Sequence, residues 1–364
     1  FTNSVINFYG KIGDVYNAVN TFNNIPIYKK NIVTISAMMN CFIDNNQNEK
    51  AISLYEEYNG KHNDITNSLF IKACTNIGDA DKGIKLIKST TKIMDSSITF
   101  INTVIDFYGK IGDVNNAVNT FNIIPENRKN IVTINAMMNC FIDNNQNEKA
   151  ISLYEQYNHY THDDVSNLLF IKACTNIGDV DKGTKVIKST TNGGIKFIAS
   201  KIDFYGKIGD VNNAVNTFNN IPENKKNIVT IGAMMKCFID NNQNEKAISI
   251  YEQYNHYKHD DISNTLFIKA CTNIGDADKG IKLIKSTTND SIEFTNSVIN
   301  FYGKIGDVNN AVNTFDNISK KSRNIVDIGA MMKCFIDNNQ NEKAISLYEQ
   351  YNGQHNHVSN LLFI

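Results

Sequence analysis

Apolar residues along this chain recur at helical spacing. Ile101, Val104, Ile105 and Tyr108 stand at i, i+3, i+4 and i+7, so they share one stripe of a first helix, and Val114, Ala117, Val118 and Phe121 do the same for a second. Gly112-Asp113 separates them. Glycine can take the left-handed conformation that closes a helix, and aspartate can accept from the free amides that open the next, so the pattern predicts a helix hairpin. Four residues after the junction comes a small residue, Ala117, where the second helix can approach its neighbours closely.

This hairpin pattern repeats. The segment Asp106 to Ala117 returns at Asn7 to Ala18, Asp203 to Ala214 and Asn300 to Ala311, at offsets of 99, 97 and 97 residues. Ile131-Val-Thr-Ile-Asn-Ala-Met-Met138 recurs from Ile32, Ile228 and Ile325, and Leu169 to Asp179 recurs from Leu69 and Leu266. Each block therefore holds three hairpins of different kinds, each roughly 31 to 35 residues long. In the middle kind Asn46, Asn145, Asn242 and Asn339 take the junction glycine's place, and asparagine is among the few side chains that visit the left-handed region cheaply. Units of this size cannot bury their apolar faces alone, so they must stack. The expected fold is all-α, a right-handed solenoid over residues 1–364 with eleven hairpins and a partial twelfth, and both ends read as truncated.

Composition narrows the function. Formal net charge is −1, from 36 basic and 37 acidic residues, too balanced for general attraction to nucleic acid, so any basic surface must be local. No apolar run is long enough to span a membrane. Pro26, Pro125 and Pro222 each follow the second helix of the first kind of unit and mark a turn. The seven cysteines, Cys41, Cys74, Cys140, Cys174, Cys237, Cys271 and Cys334, occupy two equivalent places about one block apart, and no C-x-x-C occurs. They are expected to be small buried apolar residues in a reducing compartment. His62, His159, His162, His256, His259, His355 and His357 lack a companion cysteine or carboxylate at a metal-ligand spacing and read as solvated connector residues. Lys82, Lys85 and Lys88, echoed by Lys279, Lys282 and Lys285, read as a solvated helix side. Phosphate-loop, nucleophile-elbow and zinc-deaminase signatures are missing, so no enzyme activity, cofactor, metal or small-molecule substrate is expected of these residues.

The informative variation lies near the start of each first helix. In the middle units the same frame, Ile-Val-Thr/Asp-Ile before and Ala-Met-Met after, encloses Ser36, Asn135, Gly232 and Gly329. A constant frame with a changing polar residue suits modular recognition; drift at an exposed site is the plainer reading.

On these residues the chain resembles the pentatricopeptide repeat family, in the variety built from triplets of standard, long and short motifs. Asn102 to Asp113 with Ile124-Pro125-Glu126 resembles the short motif, Val132 to Met138 with Ala150 to Tyr154 the standard one, and Phe170 to Gly178 with Lys182-Gly183 the long one. The peptide-binding tetratricopeptide repeat, a protein–protein scaffold, is the rival; it shares Tyr108, Ala117 and Phe121, but its tryptophan and glycine fall on Ile101 and Ile105.

The resemblance implies single-stranded RNA as partner, other proteins being a second class, with one base per repeat read by a motif's fifth and last residues. Carried onto this chain, the standard motifs offer Ser36 with Asn63, Asn135 with Asp163, Gly232 with Asp260, and Gly329 with Asn356. The short motifs offer Asn3 with Asn31, Asn102 with Asn130, Ala199 with Asn227, and Asn296 with Asn324. Val33, Val132, Val229 and Val326 would pack on the bases, and Lys11, Lys110, Lys207 and Lys304 would meet the backbone. By the family's code Asn135 with Asp163 resembles a uracil reader, Ser36 with Asn63 an adenine reader, and the asparagine pairs pyrimidine readers; long motifs read poorly. Asp44, Asp143, Asp240 and Asp337 stand where the family favours lysine, which implies modest affinity. The resemblance further implies action by occupancy in organellar, most simply mitochondrial, RNA processing. A deaminase-like domain often follows such triplets, and none is present here.

Overall fold

The computed structural model describes residues 2–90, 93–158, 160–190, 193–287, 291–320, 322–351, 353 and 357–363. Every regular element among them is helical: 23 α-helices and four short 3-10 turns. Two compact units divide the chain at Val186/Ile187. The first holds α1 (Thr2–Lys11), α2 (Val15–Asn23), α3 (Ile32–Asp44), α4 (Asn48–Glu57), α5 (Asp64–Ile77), α6 (Ala80–Ser89), α7 (Ile98–Lys110), α8 (Val114–Ile123), α9 (Ile131–Asp143), α10 (Asn147–Gln156), α11 (Asp164–Ile177) and most of α12 (Val180–Ser189). The second holds α13 (Ile195–Lys207), α14 (Val211–Asn219), α15 (Ile228–Asp240), α16 (Asn244–Gln253), α17 (Asp261–Ile274), α18 (Ala277–Ser286), α19 (Ile292–Lys304), α20 (Val308–Asp316), α21 (Ile325–Asp337), α22 (Asn341–Gln350) and α23 (His357–Phe363).

The predicted junctions are present. Gly13 and Gly112 have φ of 80° and 82°, the following Asp14 and Asp113 carboxylates accept from the Asn17 and Asn116 amides at 3.1 Å, and the four asparagines of the middle units all sit at φ 57°. Within each unit, odd-numbered first helices pack directly on one another: α1 on α3, α3 on α5, α5 on α7 and α7 on α9 in the first, and α13 on α15 through to α19 on α21 in the second. Second helices pack mainly on first helices. The first helices therefore form the close-packed layer of each stack, and their N-terminal ends carry the candidate site.

Small residues set how closely the layers approach. A Cβ placed on Gly10, Gly109, Gly206 or Gly303 would stand 3.0 Å from the Cys41, Cys140, Cys237 or Cys334 of the next first helix. Asn45, Asn144, Asn241 and Asn338 clamp the same contact, each amide donating back to the preceding glycine carbonyl at 2.8–2.9 Å. The cysteines are buried as expected. Burial first, and nearby aspartates second, pushes the Cys140, Cys237 and Cys334 thiols up to about 11, so they stay protonated and inert.

The histidines depart from expectation. His62, His162 and His259 are half-buried and lie flat on Tyr55, Tyr154 and Tyr251, with ring centroids 3.6–3.7 Å apart. Their spacing carried no helical periodicity, so nothing in the sequence marked them as wedges between a second helix and the next first helix. His256 is exposed, as predicted, while His159, His355 and the side chain of His357 lie outside the described residues. Burial lowers the pKa of all three stacked rings below the usual 6.5. The folded state thus favours the neutral form, so stability is constant above the unfolded value and falls as pH drops through and below it. A thermal midpoint that declines from pH 7.5 to pH 5.5, and declines less in the variant with His62, His162 and His259 all changed to Gln, is expected from circular-dichroism melts; equal declines would remove these rings as the cause.

Candidate nucleic-acid interface

The first helices of the standard units, and α5, α11 and α17 of the long units, open on a capping side chain. Asn31, Asn130, Asn227 and Asn324 cap α3, α9, α15 and α21, and Asn63, Asp163 and Asp260 cap α5, α11 and α17. These are the predicted last-position base readers, and one oxygen of each is already engaged: Asn31 Oδ1 accepts from Val33 and Thr34 amides at 3.1 Å, and Asp163 Oδ1 accepts from the Ser166 amide at 2.8 Å and hydroxyl at 2.7 Å. A base contact must use the remaining Nδ2 or the second carboxylate oxygen. Asn356 lies outside the described residues.

The fifth-position residues are less open than the sequence suggested. Asn102, Asn135 and Asn296 are only 7–8% exposed and sit in the seams between neighbouring first helices, with their Oδ1 atoms buried and lacking a hydrogen-bond partner. Asn3 is half-buried, and Ser36 turns its hydroxyl onto its own helix, donating to the Val33 carbonyl at 3.0 Å. Ala199, Gly232 and Gly329 bring no polar group. The seam arises because first helices pack directly, which a single-helix periodicity cannot reveal.

One predicted pair is joined. Asn135 Nδ2 donates to Asp163 Oδ1 at 3.3 Å. Burial alone would raise the Asp163 carboxyl, but hydrogen bonds from Ser166 and Asn135 hold it below the ordinary range, so it stays a charged acceptor. An acceptor there requires the NH2 of Asn135 to face it, which leaves the Asn135 carbonyl oxygen as the free function. Asn102 and Asn130 show no such bond, and Asn296 donates to Asp327 rather than Asn324.

The aliphatic residues assigned to base packing face solvent. Val33, Val132, Val229 and Val326 are 51–58% exposed, each two residues past a capping asparagine. Sequence reading passed over Ile65, Val165 and Ile262, the same place in the long units, which are 53–67% exposed. Their signal was present, an aliphatic two residues past Asn63, Asp163 or Asp260. In the short units the place is polar: Thr99, Lys196 and Glu293 are exposed.

Two of the four lysines assigned to the backbone, Lys110 and Lys207, are ion-paired. Lys110 lies 2.7 Å from Asp143, which is also 3.9 Å from Lys172, and Lys207 lies 3.4 Å from Asp240. Lys236 pairs with Asp203 at 2.5 Å. Crowding by the surrounding helices, reinforced by Asp143 and opposed by Lys110, raises the Asp106 carboxyl to about 6 although water still reaches it. Lys11 and Lys304 are exposed. Among the described residues no cluster of histidine, cysteine and carboxylate side chains fits a metal ion, and no helix is long and apolar enough to cross a membrane.

Helix hairpins stacked through their first helices, with caps, aliphatics and amides repeating at fixed places, define an α-solenoid repeat protein. The pentatricopeptide repeat model matches residues 33–61 and 132–157, both in standard units. Relatives include the mitochondrial pentatricopeptide repeat-containing protein At2g03380 of Arabidopsis thaliana, 22% identical over 96% of this chain and 52% of its own. At1g03540 of the same plant is 26% identical over 75% of this chain and 45% of its own, and the similar At4g18520 is chloroplastic by name. The chain spans about half the length of these relatives. Among solved structures, the pentatricopeptide repeat protein PPR10 in complex with an 18-nt psaJ RNA element superposes with a TM-score of 0.63 at 15% identity, covering all of this chain and 57% of that one. PPR10 from maize does so at 0.61 and 13%, covering all of this chain and 60% of that one. The chain is thus similar to pentatricopeptide repeat proteins in two of its standard units and, at lower identity, along nearly its whole length.

Proposed function

We propose that this chain binds single-stranded RNA along its first-helix layer and acts by occupancy, masking or presenting a site in organellar, most simply mitochondrial, RNA processing. The observation that carries this is the half-exposed aliphatics repeated within each unit, at Val33, Ile65, Val132 and Val165 in the first and at Val229, Ile262 and Val326 in the second. Exposed apolar side chains at regular intervals beside amides and carboxylates give flat bases a surface to lie on and an edge to pair with. At Asn135 the free carbonyl acceptor complements the ring N–H of uracil and not the unprotonated ring nitrogen of cytosine, which supports a uracil reading for Asn135 with Asp163. The named complex of PPR10 with an RNA element supports the same partner class.

The test is fluorescence anisotropy of the purified chain with a randomised single-stranded RNA pool and with duplex RNA, repeated for Val132→Ser with Val165→Ser. Both positions are exposed, so the melting temperature should hold. Each change removes about two apolar carbons from the base surface, at ~0.8 kcal/mol per carbon, so single-strand affinity should fall about tenfold or more while duplex RNA stays unbound. Unaltered RNA affinity would discard the aliphatic row as the binding surface, and capture of peptides in place of RNA would favour a protein scaffold.

A further inference from the structure

Three linked features meet in the seam between α19 and α21. Where Thr34, Thr133 and Thr230 stand third in the other standard units, this one has Asp327, fully buried, with Oδ1 accepting from Asn296 Nδ2 at 2.8 Å and Oδ2 accepting from the Asn324 amide at 2.8 Å. A carboxylate can only accept, so the Asn296 amide is held with its NH2 toward Asp327 and its carbonyl turned away. That carbonyl oxygen is buried without a partner, the kind of group whose desolvation is compensated when a donor arrives.

The second feature is Gly329, a glycine shared with Gly232 of α15, where the second block holds Asn135, which fills its seam and bonds Asp163. A Cβ built on Gly329 meets nothing within 4 Å, so no neighbour has moved in to take up the space. The third is a cleft of about 500 Å³, lined among others by Asn296, Asn300, Val326, Gly329, Lys333 and Leu362. One side is apolar, with Val326 58% exposed, while Asn296 and Lys333 bring an acceptor and a donor.

From these three features we infer that this seam selects a purine, in contrast to the pyrimidine that the family's code would assign to Asn296 with Asn324. The inference rests on the RNA-binding reading above. A two-ringed base uses the space that Gly329 leaves, lies against Val326, and donates an exocyclic or ring N–H to Asn296 Oδ1. Adenine offers its N6 amino group and guanine its N1–H, and in either the adjacent acceptor faces the Lys333 side of the cleft. A single-ring base would leave the cleft part-filled and its apolar wall in water. Gly329 and Asp327 are thus specificity-determining residues, Gly329 by its missing side chain and Asp327 by fixing the direction of the Asn296 amide.

The experiment scans the purified chain against 14-nucleotide uridine oligomers that carry one adenosine, guanosine or cytidine at each position in turn, read by fluorescence anisotropy. One position is expected at which a purine strengthens binding about fivefold over uridine and cytidine. In Gly329→Asn, which restores the side chain found at Asn135, that preference should vanish while the circular-dichroism melt is unchanged; Gly329→Ala, which meets no neighbour, controls for folding and should keep it. Binding of the unmodified chain without any purine-favouring position, or a preference that survives Gly329→Asn, overturns the assignment alone. No binding to any strand overturns the RNA reading and this inference with it.

Discussion

Changing Asp143 and Asp240 together to asparagine should raise affinity for single-stranded RNA about tenfold at moderate salt and steepen its salt dependence. On the proposed RNA surface each carboxylate holds a lysine assigned to phosphate: Lys110 at 2.7 Å from Asp143, and Lys207 at 3.4 Å from Asp240. The pairs are exposed, so each contributes only about 0–1 kcal/mol to the fold and the chain should melt as before. Toward RNA the effect is larger, because every carboxylate both occupies a lysine and repels the incoming phosphate. A charge pair at 4 Å in water is worth about 1 kcal/mol, so two relieved sites give roughly 1–2 kcal/mol, near a factor of ten. Two freed lysines should also make the slope of log affinity against log salt more negative by about 1.4, at ~0.7 per phosphate on single strands. Anisotropy titrations from 50 to 300 mM salt give both numbers. An unaltered slope would mean that Lys110 and Lys207 never reach the phosphates, and weaker binding would mean that the carboxylates themselves contact the RNA.

That self-neutralised groove was half legible in the sequence. Alternating lysine and aspartate at Lys110 and Asp143 could be read from the repeat, since both stand at the same offset within their units. Their pairing could not, because it depends on how far one first helix slides against the next. The junctions were legible for the opposite reason: glycine or asparagine followed by a capping group is a local signal, and Gly112-Asp113 and Asn145 adopt the backbone that their chemistry requires. Asn102, Asn135 and Asn296 show where local reading stops. A polar residue one turn into an amphipathic helix reads as exposed, yet direct packing of first helices closes it into a seam. His62 on Tyr55 escaped for a related reason, since connectors between helices have no periodicity to betray a buried ring.

Valine in place of Gly83 and of Gly280 should cost about 3 kcal/mol at each site, more than any surface change in the chain. Both glycines lie in second helices, α6 and α18, against the ring of the next short unit: an added Cβ would stand 2.4 Å from Phe107 and 2.2 Å from Phe301. Neither ring has room to withdraw, for Phe107 is 1% and Phe301 0% exposed. Overpacking a closed core costs typically 1–3 kcal/mol, and a branched side chain at contact distances this short belongs at the upper end despite valine's better helix propensity than glycine's. Gly83 lies in the first compact unit and Gly280 in the second, and in a stack held by nearest-neighbour contacts each change should weaken its own neighbourhood. Urea unfolding followed by circular dichroism should therefore show one early transition for either single variant and a shift of the whole curve for the double. Trimming the opposing ring supplies the decisive arm: Phe107→Leu alone destabilises by opening a cavity, but combined with Gly83→Val it should recover part of the loss, a coupling that only direct contact produces. Strictly additive losses would mean that the valine strains its own helix and that the ring is a bystander.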